Sequence, residues 1–352
     1  MANKITGKTD INGALTAVPS SVKSIVVVGR VKGSTTSTNV KEKEIFSITG
    51  TADATAVFGA DSIVPKMVRV LIANGVNNIK GIVVPATGDT ALADTLEVTL
   101  QDKTVKVIIT DSNDQTDITA VKDHLILAES NDLFRYSVFA PNEDDAKNQT
   151  SLTNFAKTVD SDRIFIPGPS VIYSGAVADP QIFAAGLASK IMTETSDPAL
   201  PMNGVPILGF SGVTRTMLDA EMSALAHAGV TPIYPEGTTP TIYRLVTSKL
   251  DNAVWQEGTT RFIADHVLES VESMLRANYQ RTKNVVRILE SIRDDVKVVL
   301  EGLNSLEIIE NFDESTLTVT KDPQDLYGAL IDYEFDVVTP LYTITINQHL
   351  KL

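Results

Sequence analysis

The apolar positions before residue 240 alternate between short continuous runs and longer stretches with helical spacing. The run from Ile25 to Val28 predicts a buried strand, and residues 79–84 predict a second one. Capping residues and apolar spacing predict helices of about 10–15 residues between such strands. Strands that alternate with helices are typical of an α/β unit, which we assign to residues 23–240.

Local signals define further elements of this unit. Asp179 is the predicted N-cap of a helix over residues 180–193, and Thr216 that of a helix over residues 217–228. Residues 96–100 and 105–110 flank a short polar turn and predict a β-hairpin. The remaining predicted helices lie at 51–58, 63–73, 118–130 and 148–159, and the remaining strands at 136–140 and 163–166.

The pattern changes after a proline-rich stretch at residues 232–240. Two long amphipathic helices are predicted at 261–279 and 282–303, with apolar residues at 3.6-residue spacing on one face. Residues 329–337 then alternate as in a strand. We therefore predict a second, C-terminal domain over residues 241–338, which makes the fold class α/β (α+β).

Both ends of the chain resemble isolated strands. Residues 1–22 carry Ile5, Ile11 and Leu15 as single apolar points in a polar segment. Residues 339–352 begin with a Thr-Pro break and place Tyr342, Ile344 and Ile346 on one face. Because an unpaired strand edge invites pairing with another chain, these ends are predicted arms that join copies of the protein. Pairing of both ends within their own chain explains the pattern equally well.

Composition and charge exclude several function classes. The chain has 352 residues, a net charge of −14 and no cysteine. A general nucleic-acid binder needs an excess of basic residues, and disulfides and thiolate metal sites need cysteine. The sequence contains neither a run long enough to span a bilayer nor a signal peptide. We expect a protein that is made and assembled in a cytoplasm and does not insert into membranes.

Sequence motifs give no catalytic, cofactor-binding or metal-ligating residue. Gly7-Lys8-Thr9 lacks the first glycine of a phosphate-binding loop, and residues 111–122 lack the required glycine and glutamate of a calcium loop. Gly29 and Gly33 match a dinucleotide fingerprint only in part, so we assign them packing or turn roles. Residues 209–213 lack the last glycine of a nucleophile elbow, and the four histidines have no metal-ligand spacing.

Several segments, in a fixed order, resemble the contractile tail sheath family. The strongest are WQEGTTRFIADH at 255–266 and LRANYQRTKN at 275–284. The others are VVVG at 26–29, TAVFG at 55–59, NG at 74–75, NGV at 203–205, GFSG at 209–212 and EFDVVTPLYTITI at 334–346. The resemblance covers nearly the whole chain.

This resemblance implies a structural subunit of a contractile tail sheath. Such subunits stack as hexameric rings around an inner tube, and their terminal arms complete sheets in neighbouring subunits. Contraction drives the tube through a target cell envelope. The implied partners are copies of the chain, the inner tube protein, and baseplate and tail-terminator proteins at the two ends. The resemblance also implies assembly in the bacterial cytoplasm, and release by lysis as part of a virion or a tail-like particle such as a bacteriocin.

In the family a helix of the C-terminal domain faces the tube. Basic side chains outnumber acidic ones in residues 276–297 of this otherwise acidic chain. We therefore expect tube attachment through four of them, Lys283, Arg287, Arg293 and Lys297. The other explanation of the same pattern is a solvated helix face with intrahelical ion pairs.

Two other functions are compatible with parts of the sequence. An α/β small-molecule-binding protein or enzyme would need a pocket with converging titratable groups, which no motif supplies. An inner-tube protein would be shorter and mainly β, without the long helices after residue 260. The contractile sheath subunit is therefore our main prediction.

Overall fold

A computed structural model describes residues 23–36, 42–86 and 91–342. Helices and strands are interspersed up to residue 242, and long helices with short β-ribbons follow, which confirms the α/β (α+β) class. No helix in these ranges is long and apolar enough to cross a membrane.

A six-stranded sheet forms the centre of the molecule. Its strands lie side by side in the order β2-β3-β1-β4-β5-β6, and only β2 runs antiparallel to its neighbour. Ile25 to Val28 in β1 are fully buried because helices cover both faces of the sheet. The strands are β1 (Ser24–Arg30), β2 (Phe46–Ile48), β3 (Ile79–Val84), β4 (Val105–Thr110), β5 (Tyr136–Val138) and β6 (Ile164–Phe165).

Two hydrophobic cores lie on opposite faces of this sheet. Ile25 and Val27 belong to the first core, and Val26 and Val28 belong to the second, as the alternation of a strand requires. The helices α1 (Thr51–Phe58), α2 (Val64–Ala73) and α6 (Pro180–Glu194) cover the first face. The second face is covered by α3 (Ala91–Glu97), α4 (Gln115–Glu129), α5 (Gln149–Val159) and α7 (Asp219–His227).

Two predictions for this unit were wrong. Residues 96–100 form no hairpin strand. Leu92 and Leu96 are four residues apart, so their side chains share one face of α3 and pack into the second core. A 3-10 helix follows at Val98–Gln101. The strand after it, β4, pairs in parallel with β1 instead. Helix α7 begins at Asp219, and Leu218 rather than Thr216 occupies its N-cap position.

Smaller strands extend the unit at one end. β7 (Pro167–Gly168), β10 (Thr231–Glu236) and β11 (Thr239–Ile242) form a three-stranded sheet, and β8 (Ile172–Tyr173) pairs with β9 (Ala176–Val177). The proline-rich stretch that marked the change of pattern in the sequence is thus itself a strand pair.

After residue 250 the chain forms helices and two ribbons. The helices are α8 (Ala253–Gln256), α9 (Gly258–Asn278) and α10 (Val286–Ser305). Helices α9 and α10 pack through a third core that contains Val267, Val271, Ile292 and Val296. The ribbons pair β12 (Ile309–Glu310) with β15 (Asp336–Val337), and β13 (Thr318–Lys321) with β14 (Ala329–Asp332).

These elements differ from the predictions in two respects. Helix α10 starts at Val286 rather than at residue 282, because Val285 is still extended and Arg281 has a positive φ of 61°. The single strand predicted at 329–337 is divided between the two ribbons. The predicted domain boundaries at residues 240 and 338 remain predictions.

Candidate assembly surfaces

The edge of the sheet that binds ligands in many α/β proteins is filled by the chain's own side chains. Ligands of such folds bind where the strand order reverses, here between the carboxyl ends of β1 and β4. Arg30 donates from its backbone N–H and from Nη1 to Asp111, each over 2.8 Å. Its Nη2 donates to both oxygens of Asp117, at 2.9 and 3.0 Å. Burial raises the pKa of the Asp111 carboxyl.

The two glycines near this edge have the packing and turn roles predicted for them. A Cβ on Gly29 would lie 2.6 Å from Cγ2 of Val64, so only glycine lets α2 approach β1 so closely. Gly33 has a φ of +82°, which a turn residue without a side chain adopts readily. Neither glycine opens a helix.

Within the described residues, nothing indicates a metal site or a functional histidine. No group of three or more His, Asp or Glu side chains that could hold a metal ion occurs in these ranges. His124 is buried and bonds to Thr99 and Arg135, whereas His227 is exposed and bonds to the carbonyl of Ser223. His349 lies outside the described residues.

A buried ionic cluster joins the end of the sheet to α9. Arg163 donates to Asp265 over 2.8 and 3.0 Å and to Glu129 over 2.8 and 3.1 Å. Arg261 bonds to Glu129 and lies 3.0 Å from Asp162 and 3.1 Å from Asp265. Burial is the largest single influence and lowers the pKa of Arg163, but the charges of Asp265, Tyr136 and Glu129 and the hydrogen bonds to Asp265 together raise it. The cluster fixes α9 against the sheet.

Further contacts complete the junction between the sheet and α9. Phe262 packs edge-on against Tyr136 with ring centres 4.9 Å apart, and Tyr136 donates its hydroxyl hydrogen to Asp265. Lys106 and Lys23 bond to Glu269 over 2.8 and 3.3 Å. Sequence reasoning missed this junction. Its signal was the recurrence of Arg261, Asp265 and Glu269 every fourth residue beside the apolar face of α9.

Among the predicted arm residues, only Tyr342 lies within the described ranges. Its hydroxyl donates to Oε1 of Glu257 over 2.7 Å, and the guanidinium of Arg244 lies 4.7 Å from its ring centre. Arg244 in turn donates to Glu257 over 2.8 and 3.0 Å. These contacts anchor the start of the C-terminal segment, at Tyr342, to the body of its own chain. Ile5, Ile11, Leu15, Ile344 and Ile346 lie outside the described residues.

The β13–β14 ribbon offers open edges. Val319 and Ile331 pair with each other and pack against the third core. Neither outer edge of the ribbon pairs with another strand in the described part of the chain. A two-stranded ribbon is marginal by itself, so added strands would stabilise it.

The four predicted attachment residues divide into two pairs. Lys283 and Arg287 are exposed and form no ion pair with any residue of the described ranges. Arg293 and Lys297 are half-buried and lie 3.3 and 2.6 Å from Glu314. The hydrogen bond with Glu314 raises the pKa of Lys297 and lowers that of Glu314. Only the first pair is open to a partner.

Comparison with known proteins locates one family domain in the chain. Residues 251–351 match the family described as phage tail sheath C-terminal domain. This range contains α8 to α10, both ribbons and Tyr342. No curated protein sequence matches the chain.

Solved structures match the fold along the whole chain. The contracted helical sheath of the anti-feeding prophage has a TM-score of 0.73 at 14% identity, covering 99% of this chain and 98% of that one. The contracted sheath complex of the extracellular contractile injection system PVC has a TM-score of 0.67 at 14% identity, covering 99% and 97%. The sheath tail protein of Desulfitobacterium hafniense has a TM-score of 0.65 at 9% identity, covering 96% and 100%.

The C-terminal match and the whole-chain fold agree with each other and with the segments that resembled sheath proteins. The resemblance is thereby confirmed: residues 251–351 match the phage tail sheath C-terminal domain family, and the chain as a whole has the fold of contractile tail sheath proteins.

Proposed function

We propose that the protein is the structural subunit of a contractile tail sheath, and that its copies stack as hexameric rings in a helical array around an inner tube. Contraction of the array drives the tube through a target cell envelope. The match of residues 251–351 to the sheath C-terminal domain carries this proposal. The similar fold of two contracted sheath assemblies supports it.

Subunits are joined by their terminal arms, residues 1–22 and 339–352. The open edges of the β13–β14 ribbon supply main-chain donors and acceptors that an arm of a neighbouring copy would use. In the C-terminal arm, Ile344 and Ile346 would face the neighbour's core. The hydrogen bond from Tyr342 to Glu257 supports this arrangement because it fixes the point at which the arm leaves the body.

Contraction requires bodies that shift while the arms stay joined. The buried cluster around Arg163 and Asp265 holds α9 to the sheet, so the body would move as one unit. The energy of contraction would then reside in contacts between bodies, which differ in the two arrangements of a bistable interface. No catalytic step is part of this mechanism.

The proposed partners are other copies, the inner tube, and baseplate and terminator proteins at the two ends. Lys283 and Arg287 are the residues best placed to meet an acidic tube wall, because Arg293 and Lys297 bind Glu314. The proposal includes neither nucleic acid nor membrane insertion. Assembly would occur in the bacterial cytoplasm, with release by lysis in a virion or tail-like particle.

A small-molecule enzyme is not favoured as an alternative. The edge of the sheet where such an enzyme binds its ligand is taken up by Arg30, Asp111 and Asp117. Gln181 adds two bonds to backbone carbonyls of the same edge, those of Thr110 at 2.8 Å and Ser112 at 2.9 Å.

Electron microscopy of the purified protein in negative stain tests the proposal. We expect striated tubes from the full chain. A chain that lacks residues 343–352 but keeps Tyr342 should retain the circular dichroism of the full chain and remain monomeric. Discrete globular particles from the full chain under all assembly conditions would contradict the proposed function.

A further inference from the structure

An exposed apolar pair lies near the amino-terminal end of α10. Leu326 and Tyr327, in the turn between β13 and β14, are 82% and 89% exposed. Nδ2 of Asn284 donates to the carbonyl oxygen of Gly328 over 2.9 Å, which ties this turn to the segment that leads into α10. Arg281, in the same segment, is also exposed. We call Leu326, Tyr327 and Arg281 the knob.

The turn that carries the knob is held by several hydrogen bonds. Asp322 Oδ1 accepts from the backbone N–H of Gln324 over 2.8 Å, and Asp325 Oδ1 accepts from that of Tyr327 over 3.0 Å. The N–H of Asp322 donates to Gly328 over 3.1 Å. The large apolar side chains of Leu326 and Tyr327 are thus exposed to solvent on an ordered turn. Their burial would gain hydrophobic free energy at a small entropic cost.

A groove of about 590 Å³ lies at the other end of α10. Its apolar part includes Leu306, just after α10, and Leu200, which are 69% and 57% exposed. Asp197, Glu307 and Glu310 contribute carboxylates, and no lysine or arginine of the described residues lines it. The remaining lining residues are Ala199, Pro201, Asn304, Ile309, Asn311 and Val338.

The two features match in chemistry and are separated by the helix. The knob combines two apolar side chains with a guanidinium, and the Oδ1 atoms of Asp322 and Asp325 on the same turn accept backbone hydrogen bonds. The groove is lined by apolar side chains and by carboxylates. Helix α10 has 20 residues, and at a rise of about 1.5 Å per residue it places them about 30 Å apart. A copy therefore cannot bring its own knob into its own groove.

We propose that the knob of one copy docks into the groove of the next copy, with Leu326 and Tyr327 on the apolar floor and Arg281 beside the carboxylates. This inference rests on the proposed function, because it assigns a contact between subunits of the same array. The two partners use different surfaces, so the contact is heterologous and propagates into rings or helices instead of stopping at a dimer.

The absence of native cysteine allows a direct test by cross-linking. Full-length chains carrying Leu326→Cys are mixed with chains carrying Leu306→Cys, assembled, and oxidised with diamide. The matched control replaces Leu306→Cys by Val298→Cys, because Val298 is equally exposed, at 67%, but lies on α10 away from the groove. Docking should give at least about tenfold more mixed dimer than this control, since it raises the effective concentration of the two thiols.

A double variant gives a second readout. Chains carrying both Leu326→Cys and Leu306→Cys should form a ladder of cross-linked oligomers, whereas chains carrying either substitution alone should stay uncross-linked, a combination that requires a head-to-tail contact. The proposal is overturned if the mixed dimer is no more abundant than the Val298→Cys control, or if Leu326→Cys chains mainly cross-link to one another. A wild-type chain that forms no polymer would refute the proposed function; a polymer without the cross-link would refute only the docking.

The chemistry of the knob can be tested without cysteine. Tyr327→Asp should reduce the fraction of protein that sediments as polymer, because the new carboxylate would enter a groove with an acidic rim. Tyr327→Phe keeps the ring and should assemble like the wild type. Equal sedimentation of the Asp variant and the wild type would remove Tyr327 from the contact.

Discussion

Arg163 and Asp265 form a doubly hydrogen-bonded ion pair, at 2.8 and 3.0 Å, between residues that are about 100 positions apart in the chain. Both side chains are only 2% exposed. Removing charges from water is costly, so such a pair persists only where its geometry and its further bonds are good. Here Asp265 also accepts from Tyr136, and Arg163 also binds Glu129. The pair fixes the position of α9 on the sheet.

Replacing Asp265 by Asn should strongly destabilise the fold. The substitution removes a negative charge and leaves Arg163 and Arg261 buried with less compensation. We expect the free energy of unfolding, measured by urea titration, to fall by about 3–5 kcal/mol. Asp144→Asn is the control, because Asp144 pairs with Lys147 in solvent. Equal losses in both variants would show that the buried cluster does not stabilise the junction.

His124 makes the stability of the protein depend on pH. Arg135 donates to Nε2 of His124, so the imidazole is held neutral with its hydrogen on Nδ1. Burial, and then the charge of Arg135, lowers the pKa of His124 to about 4 from 6.5. The unfolded chain therefore binds a proton at a pH at which the folded chain does not. The contribution of His124 to stability is complete above pH 6.5 and is lost as the pH falls to about 4.

This loss can be measured with two histidine variants. A pKa shift of this size corresponds to a loss of about 3 kcal/mol in the free energy of unfolding between the two ends of the pH window. Chemical denaturation at several pH values should show that His124→Gln loses less stability on acidification than the wild type does. His227→Gln, at an exposed site, should follow the wild type. A wild-type pH profile in His124→Gln would assign the acid sensitivity to other groups.

The register of the C-terminal arm should decide which of its residues matter. Successive side chains of a strand point to opposite faces, so Ile344→Asp or Ile346→Asp would place a carboxylate inside a neighbour's core. The expected cost is on the order of several kcal/mol per subunit contact, and polymer yield in sedimentation should collapse. Thr343→Asp and Thr345→Asp are the matched controls on the other face. Similar yields from both sets would refute the register.

Attachment to the tube should depend on Lys283 and Arg287. Exposed ion pairs contribute about 0–1 kcal/mol each, which is weak enough to break during contraction and adds up over many subunits. Reversing both residues to Glu should increase the fraction of empty, contracted sheaths in micrographs. The effect should be largest at low salt, where screening is least.

Arg293 provides the comparison for this prediction. It binds Glu314 and the carbonyl oxygen of Leu317, so Arg293→Glu should loosen the segment after α10 and leave tube attachment largely intact. Tube-filled, extended particles at wild-type frequency in the Lys283→Glu, Arg287→Glu double variant would remove these residues from the attachment surface.

The sequence alone determined the elements whose signals are local. The apolar run from Ile25 to Val28 identified the central strand because a strand buried on both faces needs apolar residues at every position. Asp179 accepts a hydrogen bond from the first turn of the following helix, as its predicted cap role requires. The faces of α9 and α10 followed from their helical spacing. These signals, with the order of the sheath-like segments, were sufficient for the fold class and for the resemblance to sheath proteins.

The tertiary structure decided what depends on distant residues. Leu92 and Leu96 could be assigned to a helix only once the sheet that their face covers was known. Residues 329–337 read as one strand, but their pairing partners lie in two different segments, which split it into β14 and β15. Arg163 meets Asp265, and Glu314 binds two of the four predicted attachment residues, only because packing brings them together. Charge and spacing record which side chains a segment carries, whereas the fold determines which of them are already paired within the chain and which remain open to a partner.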